Sequence, residues 1–277
     1  MVYLFLIPSL SILFCPFFNL QNQFKMRKLS FFLATFLILA ACNNSGKDTT
    51  SAVTWHDLES ENLKGDIASY EETSYKVDSM GNIGEADSCC ADVTEYDENG
   101  NSIKNVSKDK NGTISGETVM TRHPNGQFKS MSSTKDGKSN GGFRVDIDAD
   151  GKITLAVAID STGKDDVYYT DVTMNDVGEV TGWKQYDKDS VFRMQGESVY
   201  DKHQMLSNTI KDSVGTVKNS STSKYNDKGE LIESSFTNVG KDSTTTKVTK
   251  YTYDAHDEMG NWTQRTTMED GKPTKIV

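Results

Sequence analysis

The sequence predicts an all-β chain. The expected fold is an antiparallel meander of about seven two-strand hairpin units, each of about 26 residues, curled by strand twist into a solenoid-like sheet. Three observations carry this. First, glycine turns recur at Gly100, Gly126, Gly151, Gly178 and Gly229, and their phase continues at Gln204 and near Asp257. Three residues before these positions stand Asp97, His123, Asp148, Asn175, Asp201, Asn226 and Asp254. Asp and Asn close turns with their own side chains, and Gly supplies a positive φ. Second, another turn series falls between them, at Gly112, Gly137, Gly163, about Asp189, Gly215, Gly240 and Gly271. Third, apolar residues alternate between turns. Phe143, Val145 and Ile147 share one face, and Ile153, Leu155, Val157 and Ile159 are expected to share another.

Ahead of the repeat lies an address. Met26-Arg27-Lys28 opens a basic region, Leu29 to Ala41 is an apolar run of 13 residues, and Cys42 follows. That is the pattern of a secretory signal, too short to span a bilayer. The junction Leu39-Ala40-Ala41-Cys42 resembles the bacterial lipobox. That resemblance implies diacylglycerol on the Cys42 thiol, cleavage before it and acylation of the new amine, which together anchor stably where one chain would not. Residues 1–25 hold a second apolar run broken by Pro8 and Pro16 and read as a non-native upstream extension, the alternative being a membrane-spanning segment ahead of the signal. Residues 42–64 read as the lipidated Cys and a flexible polar tether, and 65–277 as the repeat domain. Asn43 after the Cys, rather than Asp, resembles outer-membrane sorting, with the face of that membrane left open.

Only 35% of the 277 residues are apolar, and the net charge is −10. Residues 1–42 carry three basic residues and no acid, so the remainder carries −13. Such a surface repels a phosphate backbone, which excludes nucleic acid as a partner.

Within 65–277, bulky residues precede the turns, including Tyr96 before Asp97, Tyr225 before Asn226 and Tyr253 before Asp254. The clearest copy is the last, Tyr251-Thr252-Tyr253-Asp254 … Gly260-Asn261-Trp262, in which Asp254 is expected to open the turn, Gly260 to close it and Trp262 to enter the next strand. On that alignment the last turn carries three extra residues around His256 to Glu258. Gly271-Lys272-Pro273 is expected to protect the final sheet edge.

The Tyr-x-Tyr-Asp … Gly-Asn-Trp segment and the earlier Tyr-Asp-x-x-Gly copies resemble YD-repeat proteins of the RHS type. His123-Pro124-Asn125-Gly126-Gln127-Phe128 and Asp136-Gly137-Lys138 are similar to MORN-type repeats. Both resemblances imply β-hairpin units. Large RHS proteins close a shell around a toxin; seven short units are too few for that, so the fold is carried over and that function is not. The whole resembles small repeat lipoproteins of Gram-negative envelopes.

Residues with candidate chemistry are few. Asp146-Ile147-Asp148-Ala149-Asp150-Gly151 matches the first half of a calcium loop, but its twelfth position is Val157 rather than the bidentate Glu the loop needs, so Asp146, Asp148 and Asp150 are at most a weak calcium site. Cys89 and Cys90 are adjacent, with no partners at metal-ligand spacing. His56, His123, His203 and His256 sit in no nucleophile motif. The expected function is therefore a non-enzymatic, lipid-anchored envelope protein. Its repeat surface would bind an envelope protein or glycan, without cofactor or metal. The alternatives are a carbohydrate-processing enzyme or accessory with an acidic groove, and a structural envelope spacer.

Overall fold

The computed structural model describes residues 57–78, 82–175, 178–201 and 203–277, and of 87–90 the backbone alone. Residues 1–56, with Cys42 and most of the tether, lie outside the described residues. Among the described residues one short helix, α1 (Asp57–Ser60), precedes sixteen strands. These are β1 (Ser69–Val77), β2 (Ile83–Tyr96), β3 (Ser102–Lys108), β4 (Ile114–Arg122), β5 (Phe128–Lys135), β6 (Lys138–Ile147), β7 (Ile153–Ile159) and β8 (Asp165–Met174), followed by β9 (Val180–Asp187), β10 (Phe192–Asp201), β11 (Gln204–Asp212), β12 (Val217–Tyr225), β13 (Leu231–Val239), β14 (Thr244–His256), β15 (Trp262–Glu269) and β16 (Lys272–Ile276). Each strand pairs antiparallel with the next, and β16 returns to pair with β1.

That last pairing corrects the expected fold. The sheet is a closed barrel of sixteen strands and not an open curled meander of seven units. Closure rests on two ladder pairs, Tyr75↔Ile276 and Lys76↔Lys275. Beside them, Val277 and Arg265 exchange both backbone hydrogen bonds at 2.9 Å. The edge assigned to Pro273 is thus no edge: Pro273 pairs with Met268 of β15, and the far side of β16 is covered by β1. The hairpin missing from the seven-unit count is β1–β2, whose turn is closed by Asp78 and Asn82.

One turn design serves both glycine series, except at Gly137, Gly240 and Gly271. In 97–101 the Asp97 N–H donates to the Asn101 carbonyl at 2.8 Å and the Gly100 N–H to the Asp97 carbonyl at 2.9 Å. Asp97 Oδ1 accepts the N–H groups of Asn99 and Asn101, both at 2.9 Å. Gly100 sits at φ 75°. The same backbone bonds recur at 123–127, 148–152, 175–179 and 226–230, and also at 109–113, 160–164, 187–191 and 212–216. They recur again at 257–261, which corrects the reading of the last repeat. Asp257, not Asp254, opens that turn, so there is no insertion at His256 to Glu258. Strand β14 runs on to His256 through register shifts on either side of Ala255, and Asp254 lies within it.

Alternation fails the expectation in one strand. Phe143, Val145 and Ile147 do face inward. In β7 a register shift between Asp146 and Ile147 puts Ile153 inside with Ala156 and Ala158, while Leu155, Val157 and Ile159 face outward. Val157 is nonetheless buried, because it lies between its ladder partners Arg144 and Tyr168.

A circular wall of sixteen strands would leave an open lumen. Here the inner face of β4–β9 is filled by its own side chains. Phe128, Phe143 and Tyr169 are 0–1% exposed. Ring contacts run from Phe128 to Phe143, to Tyr169 and to Trp183, with centroids 5.4 to 6.2 Å apart. The opposite inner wall is lined by buried hydroxyls and amides, among them Asn208, Asn219, Ser221, Ser223 and Thr249. The outer wall bears cross-strand ion pairs within its strands: Lys104–Glu117 at 2.8 Å, Arg144–Asp165 at 2.6 Å, Lys211–Glu197 at 2.8 Å and Lys224–Glu233 at 2.7 Å. A lipid-facing barrel presents an apolar band about 25 Å tall, where a Lys or Arg at mid-depth costs about 2–4 kcal/mol. This wall is built for water.

Candidate functional site at the strapped mouth

The turns at 97–101, 123–127, 148–152, 175–179, 226–230 and 257–261 all lie at one mouth of the barrel. Residues 57–68 cross that mouth as a strap. Leu58 N–H donates to the Gly100 carbonyl at 3.1 Å. Asn62 Nδ2 donates to the Lys228 carbonyl at 3.1 Å. Lys64 and Asn261 bond each other twice, the Lys64 N–H to Asn261 Oδ1 at 2.6 Å and Asn261 Nδ2 to the Lys64 carbonyl at 3.0 Å. Tyr96 N–H donates to the Ala68 carbonyl at 2.9 Å. Residues 57–64, inside the stretch assigned to tether, are thus held against the barrel. Asp57 is the pin. Its buried carboxylate accepts from the Ser102 N–H at 2.8 Å, from the Ser102 hydroxyl and from the Arg122 guanidinium.

A second set of contacts locks the turns to one another. The residue after a turn glycine directly precedes an inward core residue at Phe128, Ile153, Val180 and Leu231, so alternation alone would turn it toward solvent. At this mouth Asn101, Gln127, Glu179, Glu230 and Asn261 are nonetheless buried, and only Lys152 of the 148–152 turn is exposed. Most reach the following unit. Gln127 Nε2 donates to the Gly151 carbonyl at 2.9 Å. Glu179 Oε1 lies 2.9 Å from His203 Nδ1, and Glu230 Oε1 contacts His256 Nε2. Asn261, the last, reaches the strap instead.

Glu179 and Glu230 hold the same turn position and have matching His partners, yet they ionise oppositely. Burial opposes the charge on both. For Glu230, hydrogen bonds from His256 and from Asn226 Nδ2, the latter at 2.6 Å, outweigh burial and hold the carboxyl below its usual range. Glu179 is 1% exposed and its Oε2 has no hydrogen-bond partner, so burial dominates and its pKa is pushed up to about 8. Burial also lowers His203. Near neutral pH the Glu179–His203 contact therefore joins two neutral groups and is not an ion pair.

A pH signature follows. A carboxyl whose folded pKa lies above its unfolded value adds stability that is whole below the unfolded pKa and is lost as pH rises through the folded one. For Glu179 that window runs from the ordinary carboxyl value of 4.5 to about 8. Glu179→Gln should leave stability unchanged at pH 4 and raise it by roughly 4–5 kcal/mol at pH 9. Thermal unfolding of both chains across that range checks this, and a variant that parallels the parent at every pH defeats it.

Beneath the strap lies a cavity of about 290 Å³. Its walls are the rings of Tyr225, Tyr253 and Trp262, with Leu231 and Arg265. The phenols are held from behind: Tyr225 OH donates to the Met205 carbonyl at 3.2 Å and Tyr253 OH to the Leu231 carbonyl at 3.0 Å. Burial pushes Tyr225 up to about 12, and it raises Tyr253 too, so both rings stay neutral. The Arg265 guanidinium lies 4.7 Å from the Trp262 ring centre and 5.5 Å from that of Tyr251. Glu72 of β1 stands 3.8 Å from it. Carboxylates stand around the cavity: Glu59 and Glu61 from the strap, Asp201 beside the β10–β11 turn, and Asp227 and Glu230 from the β12–β13 turn. An adjoining groove of about 680 Å³ runs between the strap, β1 and the 257–261 turn, and it shares Glu61 and Trp262 with the cavity.

The structure divides the residues singled out by sequence. Tyr225, Gly229, Tyr253 and Trp262 line this cavity. Gly260 abuts Lys64 of the strap. Tyr96, Asp97 and Gly100 sit at the same mouth, under the start of the strap. Gly126, Gly151 and Gly178 take positive φ in turns of that rim. Asp146, Asp148 and Asp150 are not brought together. Asp146 faces outward, and Asp148 Oδ1 accepts the N–H groups of Asp150 and Lys152 at 3.0 and 2.9 Å. Among the described residues, no group of three or more His, Cys, Asp or Glu is placed to hold a metal. The side chains of Cys89 and Cys90, like Cys42, lie outside the described residues. Sequence reasoning missed Asp57, Arg265, His203 and the polar residues after the turn glycines. None of these left a signal: a polar residue just before an inward apolar one is what alternation asks for.

No protein-family model matches the chain, and no curated protein matches it. Among solved structures it is similar to a porin-like protein from Bacteroides uniformis, at 12% identity and a TM-score of 0.47, over 76% of this chain and 95% of that one. It is also similar to part of a TcdB2–TccC3–Cdc42 structure, at 15% identity and a TM-score of 0.30, over 70% of this chain and 10% of that one. Neither likeness is strong enough to carry an argument about function.

Proposed function

We propose that this chain is a non-enzymatic outer-membrane lipoprotein, anchored through Cys42, whose barrel stands in water and binds a ligand at its strapped mouth. The observation that carries the binding role is the cavity beneath the strap. Aromatic walls from three strands and polar groups from two turns and the strap meet around one concavity, the usual build of a small-ligand site. Nearby acid–base pairs are already engaged, Glu230 by His256 and Asn226, and Glu179 by His203. The anchor rests on the signal and lipobox pattern at residues 26–42. A tether of 15 residues from Cys42 to Asp57 spans at most about 50 Å when extended, enough to hold a water-facing barrel beside a membrane.

Labelled fatty acid fed to expressing Gram-negative cells should appear in this chain and be lost in Cys42→Ser. The labelled chain should fractionate with the outer membrane. An unlabelled parent, or a chain that inserts into planar bilayers and conducts ions, would overturn the reading.

A further inference from the structure

We infer that the cavity at the strapped mouth takes a small ligand through a primary ammonium group, as carried by an amino sugar or a polyamine. This rests on the binding role proposed above and names its chemistry.

The charge around the cavity is one-sided. Three segments remote in sequence, the strap, the β10–β11 turn and the β12–β13 turn, bring five carboxylates to one opening. Against them the lining offers one permanent cation, Arg265, and that group is already engaged. It lies between the Trp262 and Tyr251 rings with Glu72 at 3.8 Å. His203 adds no charge, since burial lowers its pKa. Among the described residues, Glu59, Asp201 and Asp227 form no ion pair. An opening lined by one sign of charge raises the local concentration of the opposite sign.

The walls point the same way. Tyr225, Tyr253 and Trp262 stay neutral and present π faces, which attract ammonium groups and bind them more strongly as they lose water. Trp262 already holds one cation by this means, the Arg265 guanidinium. An uncharged sugar would use the rings but leave Glu59, Asp201 and Asp227 without a counter-charge. An anionic glycan would meet repulsion at the rim. A volume of about 290 Å³ admits one sugar ring or a short polyamine and excludes a folded chain.

The full-length chain, purified from membranes in detergent at moderate salt, should be titrated with glucosamine, with spermidine, and with glucose and N-acetylglucosamine as uncharged counterparts. The readouts are heat of binding and the Trp262 indole N–H resonance, identified through Trp262→Phe. Glucosamine, spermidine or both should bind and shift that resonance; whichever binds identifies the source of the ammonium. The uncharged sugars should bind at least about tenfold more weakly. The pair Glu59→Gln and Asp227→Asn, at exposed positions that leave the fold intact, should weaken ammonium binding by about tenfold. Glu197→Gln on the outer wall should leave it unchanged, which separates the cavity from general attraction to an acidic protein. Uncharged sugars binding as tightly as glucosamine would overturn the ammonium assignment and leave a ligand site. Ammonium binding indifferent to the rim substitutions would also overturn it. No shift of the Trp262 resonance with any ligand would remove the site, while fatty-acid labelling of Cys42 would still stand or fall separately.

Discussion

Asp57→Ala should destabilise the barrel by about 3–5 kcal/mol and free the strap. Asp57 is buried, and its carboxylate accepts from the Ser102 N–H, the Ser102 hydroxyl and the Arg122 guanidinium. Removing it leaves a guanidinium in low dielectric without its counter-charge and two Ser102 donors without an acceptor. Arg122 Nε already lacks a partner, and the Ser102 carbonyl, 3.3 Å from Arg122 Nη2, supplies no counter-charge. Equilibrium urea unfolding reads the loss. Hydrogen exchange reads its location, because the Leu58 and Tyr96 amides, bonded to Gly100 and Ala68, should lose protection before the wall strands do. Replacing both partners, with Asp57→Leu and Arg122→Met, should recover most of the stability, since an apolar pair requires no desolvated charge. If Asp57→Ala unfolds at the parent's midpoint, the strap is not held by this pin.

How far these features could be read from sequence follows from the distance over which each is determined. The turns were legible because five neighbouring residues settle them. Asp or Asn accepts two amide protons through its own side chain, and the glycine takes the left-handed backbone. Strand order followed, because hairpins join neighbours. Closure was not legible. It depends on Tyr75↔Ile276 and Lys76↔Lys275, two pairs between segments some 200 residues apart, with no pattern to mark them. The face of β7 was misread for a related reason. A single register shift beside Ile153 changes which side it faces, and the run of Ile, Leu and Val looks equally regular either way. The last repeat was misread because Tyr253-Asp254 copies the Tyr-Asp signature of earlier turns. The true turn residue, Asp257, is displaced from it by the bulged end of β14. At the candidate site, Tyr253 and Trp262 were visible as repeat members, but their meeting under the strap was not. Asp57 is one acid in a polar stretch, and its partners lie 45 and 65 residues away.

Gly196→Val should be nearly as damaging, for a reason that lies in the core. Gly196 of β10 is the ladder partner of Trp183 in β9, and the indole lies flat across it. A Cβ built on Gly196 would stand 2.3 Å from Trp183 Cε2 and 2.5 Å from both Cζ2 and Nε1. The ring has no room to retreat. It is buried, and it packs edge-on against Tyr169 at 5.4 Å, which in turn packs against Phe143 at 6.2 Å. Any movement would propagate along the aromatic chain that fills this half of the barrel, so the expected loss is about 3 kcal/mol or more. The pair offers an internal check. Trp183→Leu alone should also destabilise, by removing aromatic area and leaving a void. With Leu in place of the indole, a valine at 196 has space and fills part of that void. The double variant should therefore be more stable than the sum of the single losses implies, with a coupling of about 1–3 kcal/mol in favour of the pair. Additive losses in urea unfolding would mean that the indole does not depend on the missing side chain, and that Gly196 serves the strand in some other way.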